Sequence, residues 1–183
     1  MADGRKARDL DLLDALDALP RERFDGTVWR VTRDGRDPPM GHPSAGRWDP
    51  GTFDVLYTSL HRDGAAAEIS FLLSRQPVYP SHIRFNVHEI AISASAILRF
   101  DEMKSPAPLG VEERLYADVR YGRTREIGDA AQFLGFDGLI APSARWACLN
   151  LVLFTDRFRP GDLVLTRTDA IDVHEWRRSR QRP

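Results

Sequence analysis

One acidic side chain lies where the sequence predicts an apolar helix face. The segment HRDGAAAEISFLLSR, residues 61–75, is predicted to be a helix, and at about 100° per residue Ala65, Ile69 and Leu72 form an apolar stripe that contains Glu68. The opposite face is predicted to be polar and carries Asp63, Ser70 and Ser74. An ionised carboxylate turned away from water is costly without a partner. Glu68 therefore either forms a structural ion pair at the helix rim, or faces a cleft where it meets positive charge that develops in a reaction.

Four further side chains are candidates to assist such a carboxylate. They are Arg30 in VWRV, Arg47 in GRWDPG, Tyr57 in LYTSL and Ser143 in APSARW. Taken singly, each has an ordinary alternative, because strand and loop arginines are usually solvated and a strand tyrosine usually packs. Ser143 also lacks the Gly-x-Ser-x-Gly elbow of a serine hydrolase. No single residue among the four decides the function.

Metal and nucleotide motifs are absent from the sequence. His82 and His88 fall on one face of a predicted strand, but strand rise separates them by about 20 Å, too far to share an ion. The chain has neither Gly-x-Gly-x-x-Gly nor Gly-x-x-x-x-Gly-Lys. The sequence predicts no metal centre and no ordinary dinucleotide or phosphate cradle.

The composition predicts one globular domain over residues 1–183. Of these residues 42% are hydrophobic and 29% charged, and the net charge of -1 favours neither nucleic acid nor an anionic membrane as a partner. We interpret residues 174–183 as a solvated basic tail rather than a nucleic-acid contact. Cys148, the single cysteine, is predicted to be a buried, unreactive thiol. No stretch approaches the roughly 18 apolar residues of a membrane span, and no signal peptide is recognised, so a cytoplasmic protein is expected.

Predicted strands outnumber helices and follow no regular βαβ order, which indicates an α+β domain. An amphipathic helix is predicted within residues 1–20, and a second clear helix ends at Gly135, with Phe136 packing back on it. Residues 34–53 form a long loop rich in proline and glycine. The predicted strands are residues 26–33, 55–60, 81–92, 138–143, 147–154 and 162–168. In the strand 81–92, His82, Arg84, Asn86 and His88 are assigned to a wet face.

Three sequence blocks resemble the RES domain family, which is named for an arginine, a glutamate and a serine. The blocks are VWRV, GRWDPGTFDVLYTSLHRDGAAAEISF and IGDAAQFLGFDGLIAPSARW followed by NLVLF, and we place the domain core at residues 26–170. The resemblance assigns the naming residues to Arg30, Glu68 and Ser143. It matches the loop arginine to Arg47, the strand tyrosine to Tyr57 and a polar position after the serine to Asn150.

The resemblance implies an ADP-ribosyltransferase-like fold, with a split, mostly antiparallel β-core flanked by helices. It also implies an enzyme that consumes NAD as its substrate without a metal, and a toxin held inactive by a cognate helical antitoxin; a homodimer is left open. Implied catalytic residues are Glu68, Arg30, Tyr57 and Ser143, and implied NAD-binding residues are Arg30, Arg47, Tyr57, Ser143 and Asn150. The acceptor stays open between water, phosphate and a protein side chain, and a non-catalytic NAD-binding or interaction domain is the remaining alternative.

Overall fold

The computed structural model describes residues 7–77 and 82–180. Its α-helices are α1 (Leu10–Asp17), α2 (Arg62–Ser74), α3 (Gly122–Phe133) and α4 (Val173–Arg180). Its strands are β1 (Glu22–Arg33), β2 (Val55–Ser59), β3 (Phe85–Arg99), β4 (Gly138–Pro142), β5 (Leu149–Phe154) and β6 (Leu163–Ile171). The predicted N-terminal helix is confirmed only over α1, and the parts of our predictions that fall on residues 1–6, Ser81 and 181–183 lie outside the described residues.

The strands form one sheet that closes on itself. The order is β1-β2-β5-β4-β3-β6, and β1 also pairs with β3, so five strands make a barrel and β6 extends it from β3. Every pairing is antiparallel except β3 with β4. The long strand β3 pairs with β1 and β6 along most of its length, and its end, Ile97 to Arg99, pairs with β4. The predicted α+β class is confirmed, while β3 is longer than the segment 81–92 predicted for it.

Alternating side chains of the barrel strands supply the two larger of three buried clusters. One set fills the barrel interior, with Leu151 and Leu153 of β5 as members. The neighbouring residues Val152 and Phe154 point the other way, into a second core that α1 and α3 cover. Gly135 ends α3 in a left-handed conformation (φ +84°), and Phe136 after it is fully buried, as the sequence predicted.

His88 does not lie on a wet face. Its side chain is only 3% exposed, and its Nε2 and Nδ1 lie 2.9 Å from the hydroxyls of Thr32 and Thr168. These threonines belong to β1 and β6, the strands on either side of β3. Because both ring nitrogens have hydroxyl partners, the imidazole is buried without leaving a polar atom unsatisfied.

The basic C-terminal segment is helical through Arg180 and packs through Trp176, while Arg178 and Arg180 are exposed, as expected for a solvated segment. Helix α4 lies against α2, where Trp176 Nε1 donates to Asp63 Oδ1 at 2.8 Å and Arg180 Nη2 donates to Asp63 Oδ2 at 2.7 Å. The Trp176 ring also contacts that of Trp146, with centroids 5.7 Å apart. The number of charged residues in the segment does not predict this packing, because the packing depends on Trp176, the one tryptophan among the arginines. None of the helices in the described ranges has the length and apolar character that crossing a bilayer requires.

Candidate active site

A cleft of about 440 Å³ lies between α2, the rim of the barrel and the loop that precedes β2. Five of the six residues singled out from the sequence line it, namely Arg30, Arg47, Tyr57, Glu68 and Asn150. The sixth, Ser143, contacts Glu68 directly. A second cavity of about 460 Å³ between α1 and α3 is lined by none of them. The structure therefore brings together residues that are far apart in the sequence.

Helix α2 turns its apolar stripe toward the cleft as well as toward the interior, since Ala65 is buried and Ile69 packs against a buried cluster. Ala65, Ile69 and Leu72 line the cleft beside Glu68, and Leu72 is 56% exposed. The helix buries its other side, which includes Ser70, a residue that the sequence assigned to the polar face. The prediction that Glu68 lies within the stripe is confirmed, but the surface that the stripe covers is the candidate site.

Small residues allow α2 to approach the barrel rim closely. A Cβ atom on Gly64 would lie 2.3 Å from Ser59 Oγ and 2.5 Å from Cys148 Sγ, so only glycine fits there. Cys148 is partly rather than fully buried, and this burial raises the pKa of its thiol. Glu68 lies four residues after Gly64 on the helix. The close approach at Gly64 therefore fixes the distance between Glu68 and the rim of the barrel.

Two side chains from the β4–β5 hairpin fix the Glu68 carboxylate. Ser143 Oγ donates to Glu68 Oε1 at 2.8 Å, and Asn150 Nδ2 donates to the same oxygen at 2.9 Å. Ala141 pairs with Asn150 across the hairpin, which explains how positions 143 and 150 reach one carboxylate. Among the described residues no hydrogen bond reaches Oε2. One edge of the carboxylate is thus anchored to the barrel.

The Ser143 hydroxyl is occupied by structural hydrogen bonds. It gives its proton to Glu68 and accepts the backbone N–H groups of Arg145 (3.1 Å) and Trp146 (3.3 Å). A nucleophilic serine needs a base that takes its proton during attack, together with an unobstructed oxygen. In this geometry the Ser143 hydroxyl holds the Glu68 carboxylate and has no neighbouring base among the groups bonded to it other than that carboxylate.

Arg30 ties the long loop to strand β1. Its Nη1 donates to the carbonyls of Pro38 (2.6 Å) and Met40 (2.9 Å). Burial lowers the pKa of Arg30 to about 10, although Asp37 opposes the effect. The group therefore stays positively charged at neutral pH. No hydrogen bond from its Nε or Nη2 to a described residue is present.

Arg47 lies between two aromatic rings. Its guanidinium carbon is 4.5 Å from the ring centroid of Tyr116 and 4.7 Å from that of Tyr121. Its Nη1 donates to the Tyr116 carbonyl, and its Nη2 donates to the Asp118 carbonyl at 3.4 Å. Stacking and carbonyl contacts together fix a positive charge without neutralising it.

Asp49, which the sequence analysis did not single out, organises the loop that carries Arg47. Its fully buried carboxylate accepts five hydrogen bonds, from the backbone N–H groups of Ser44, Ala45 and Gly46 and from the hydroxyls of Ser44 and Tyr57. Burial opposes ionisation, but these bonds outweigh it and hold the pKa of Asp49 below its ordinary value. The available signal was an aspartate directly before Pro50 and Gly51 in GRWDPG, a composition typical of loops folded around a carboxylate.

Tyr57 presents its ring to the cleft and its hydroxyl to the loop. The hydroxyl donates to Asp49 Oδ1 at 2.7 Å and accepts the Trp48 N–H at 2.8 Å. Burial, with the Asp49 charge next to it, raises the pKa of Tyr57 well above its ordinary value. The hydroxyl is therefore no acid or base at neutral pH, and the ring is the part left to contact a ligand.

A fixed carboxylate and several guanidinium groups share one cleft, an arrangement that can bind an anionic molecule and stabilise positive charge on a neighbouring part of it. The chain belongs to the RES domain family, whose model matches residues 27–177 and so includes part of α4. Within the described residues, no group of three or more His, Cys, Asp or Glu side chains is arranged to hold a metal ion.

Comparison with known proteins gives relatives of similar length. The NAD(+) phosphorylase MbcT of Mycobacterium bovis and that of Mycobacterium tuberculosis are each 25% identical to this chain over 170 residues, which is 88% of this chain and 91% of the relative. The crystal structure of the M. tuberculosis MbcT–MbcA toxin–antitoxin complex matches with a TM-score of 0.82 and 23% identity, covering 94% of this chain and 98% of the other. At that identity the structural likeness is a likeness of fold.

Proposed function

We propose that this protein degrades NAD by cleaving the bond between nicotinamide and ribose. The observation that carries the proposal is the Glu68 carboxylate, anchored through Oε1 by Ser143 and Asn150 at the wall of a cleft that also contains Arg30 and Arg47. NAD matches this arrangement, because its diphosphate is anionic and its ribose becomes cationic as the nicotinamide leaves. Family membership and the names of the MbcT relatives support the same activity.

In the proposed mechanism Glu68 acts electrostatically. The departing nicotinamide takes the electron pair of the C–N bond and becomes neutral, and positive charge moves onto the ribose. A carboxylate held in place before the reaction stabilises that charge without having to reorganise, and the neighbouring apolar side chains of Ala65 and Ile69 strengthen its field. Ser143 and Asn150 keep the carboxylate oriented.

The other predicted residues are assigned to substrate binding. Arg30 and Arg47 bind the diphosphate, for which the planar guanidinium fork is suited. The Tyr57 ring stacks on the nicotinamide, and Asn150 lies beside the ribose. Asp49 contacts no substrate in this scheme and holds the loop that carries Arg47.

We extend the proposal to the fold type and the partner. A mostly antiparallel core flanked by helices, with the cleft at its rim, supports an ADP-ribosyltransferase-like assignment. The matching structure is that of a toxin–antitoxin complex, which supports a toxin role with a cognate antitoxin as partner. We propose that this antitoxin is helical and that the pair acts in the cytoplasm. Light scattering of the purified chain, alone and with a candidate antitoxin, would separate a heteromeric complex from a homodimer.

The test of the activity is direct. The purified protein is incubated with NAD, with and without inorganic phosphate. Free nicotinamide is quantified by chromatography, and the mass of the protein is measured by mass spectrometry. The proposal predicts multiple turnovers of nicotinamide release with no mass gain. Saturable NAD binding without release would identify a non-catalytic binding domain, and a mass gain on an added protein would identify a protein ADP-ribosyltransferase.

A further inference from the structure

The cleft carries more positive charge than the diphosphate of NAD requires. Four arginines line it, Arg30, Arg47, Arg75 and Arg145, and Glu68 is the one carboxylate among the lining residues. No carboxylate of the described residues lies within 4.0 Å of any of these four guanidinium groups. Like charges gathered in one cleft repel each other unless an anion binds among them.

Arg145 differs from Arg30 and Arg47 in how it is held. Those two donate to backbone carbonyls, and Arg47 also stacks on aromatic rings. The Arg145 guanidinium donates to no carbonyl of the described residues and stacks on the Phe71 ring, with its central carbon 3.4 Å from the ring centroid. Stacking uses the face of the planar group and leaves its N–H edges available. No hydrogen bond from those edges to a described residue is present.

The position of Arg145 relative to Glu68 is fixed from two sides. Phe71 follows Glu68 by three residues on α2, so the two share a side of the helix. The Arg145 backbone N–H donates to Ser143 Oγ at 3.1 Å, and that hydroxyl donates to Glu68 Oε1. The guanidinium is thus held in the same wall as the carboxylate, yet more than 4.0 Å from it, so the carboxylate does not neutralise it in an ion pair.

We propose that Arg145 is the residue that binds the phosphate acceptor, which rests on the function proposed above and on the phosphorylase activity in the name of the MbcT relatives. A phosphate oxygen forms a bond to the ribose carbon as the bond from that carbon to nicotinamide breaks. Nicotinamide leaves neutral with the electron pair, and hydrogen phosphate becomes the phosphate monoester of ADP-ribose. No oxidant, reductant or metal is consumed. Arg75, exposed and 5.8 Å from the same Phe71 ring, adds positive charge at the outer edge.

The test compares Arg145→Gln with Arg159→Gln, which removes an exposed arginine outside the cleft. Nicotinamide release is measured against phosphate concentration, and products are separated by ³¹P NMR. The parent and Arg159→Gln are expected to show saturable dependence on phosphate and to form the monoester. Arg145→Gln is expected to raise the KM for phosphate by about 10- to 100-fold, the effect of losing hydrogen bonds to a charged group. Its KM for NAD should stay close to that of the parent.

Two further variants measure the same role of Arg145 if Arg145→Gln folds poorly. Arg145→Lys retains the charge without the fork, and Phe71→Leu removes the stacking surface; each is expected to raise the KM for phosphate more than that for NAD. Nicotinamide release that does not depend on phosphate, or equal changes in both KM values, would overturn the role of Arg145 and leave NAD cleavage intact. Absence of release by the parent under every condition would overturn the proposed function as well.

Discussion

Replacing Ser143 with alanine distinguishes a positioning residue from a nucleophile. The substitution removes a 2.8 Å hydrogen bond to Glu68 and the acceptor for two backbone N–H groups, while Asn150 still holds the same carboxylate oxygen at 2.9 Å. A hydrogen bond to a charged group is worth about 1.5–3 kcal/mol, and each 1.4 kcal/mol is a factor of ten in rate. We therefore expect kcat for nicotinamide release to fall by about 10- to 100-fold.

The assay is the initial rate of nicotinamide release at saturating NAD, with circular dichroism to verify folding. Ser93→Ala is the matched control, because Ser93 Oγ also donates to a carboxylate, Asp25 Oδ1 at 2.7 Å, at an exposed position outside the cleft. Its kcat should equal that of the parent. Loss of about six decades in Ser143→Ala, the scale seen when a true nucleophile is removed, would refute the positioning role. A rate equal to that of the parent would refute it as well.

Three further outcomes follow from contacts that surround the cleft. Asp49→Asn should raise the KM for NAD and lower the free energy of unfolding, measured by urea titration, by about 1–3 kcal/mol. The reason is that the Asp49 carboxylate accepts five hydrogen bonds, and in asparagine an NH₂ donor replaces one of its two accepting oxygens. Deleting residues 173–183 removes the contacts of Trp176 with Asp63 and Trp146, so both Tm and kcat should fall. Unchanged activity would show that α4 is dispensable. Burial lowers the pKa of His88 from its ordinary 6.5, so the unfolded chain binds a proton more readily than the folded one. The free energy of unfolding should therefore fall as the pH drops below about 6.5, and in His88→Gln this dependence on pH should be absent.

Local sequence patterns predicted the parts of the site that depend on helix and strand periodicity. The phase of α2 placed Glu68 among Ala65, Ile69 and Leu72, and the structure keeps these four together. The helical periodicity alone could not distinguish a stripe that faces a core from one that faces a cleft, since both surfaces contain apolar side chains. Packing decides the matter, because the buried side of α2 includes Ser70.

Contacts made through the tertiary fold were beyond the sequence. Arg30 binds the carbonyls of Pro38 and Met40 because a long loop returns to strand β1. The path of that loop is not fixed by any periodicity in the sequence. The composition of GRWDPG indicates a loop around Asp49 but not the five donors that meet its carboxylate, and Arg145 gains a role only from the groups that surround it. The closure of the barrel, through the pairing of β1 with β3, likewise depends on long-range contacts.

The most direct measurement of the central claim is kcat for nicotinamide release by Glu68→Gln, with NAD affinity measured separately by calorimetry. Glutamine keeps the shape of the side chain and removes the charge, so kcat should fall by about two to three decades, the scale of one preorganised electrostatic group, while NAD still binds. Glu102→Gln, an exposed carboxylate outside the cleft, is the control and should match the parent. Turnover by Glu68→Gln at the rate of the parent would contradict the assignment of Glu68 as the group that stabilises the ribose cation.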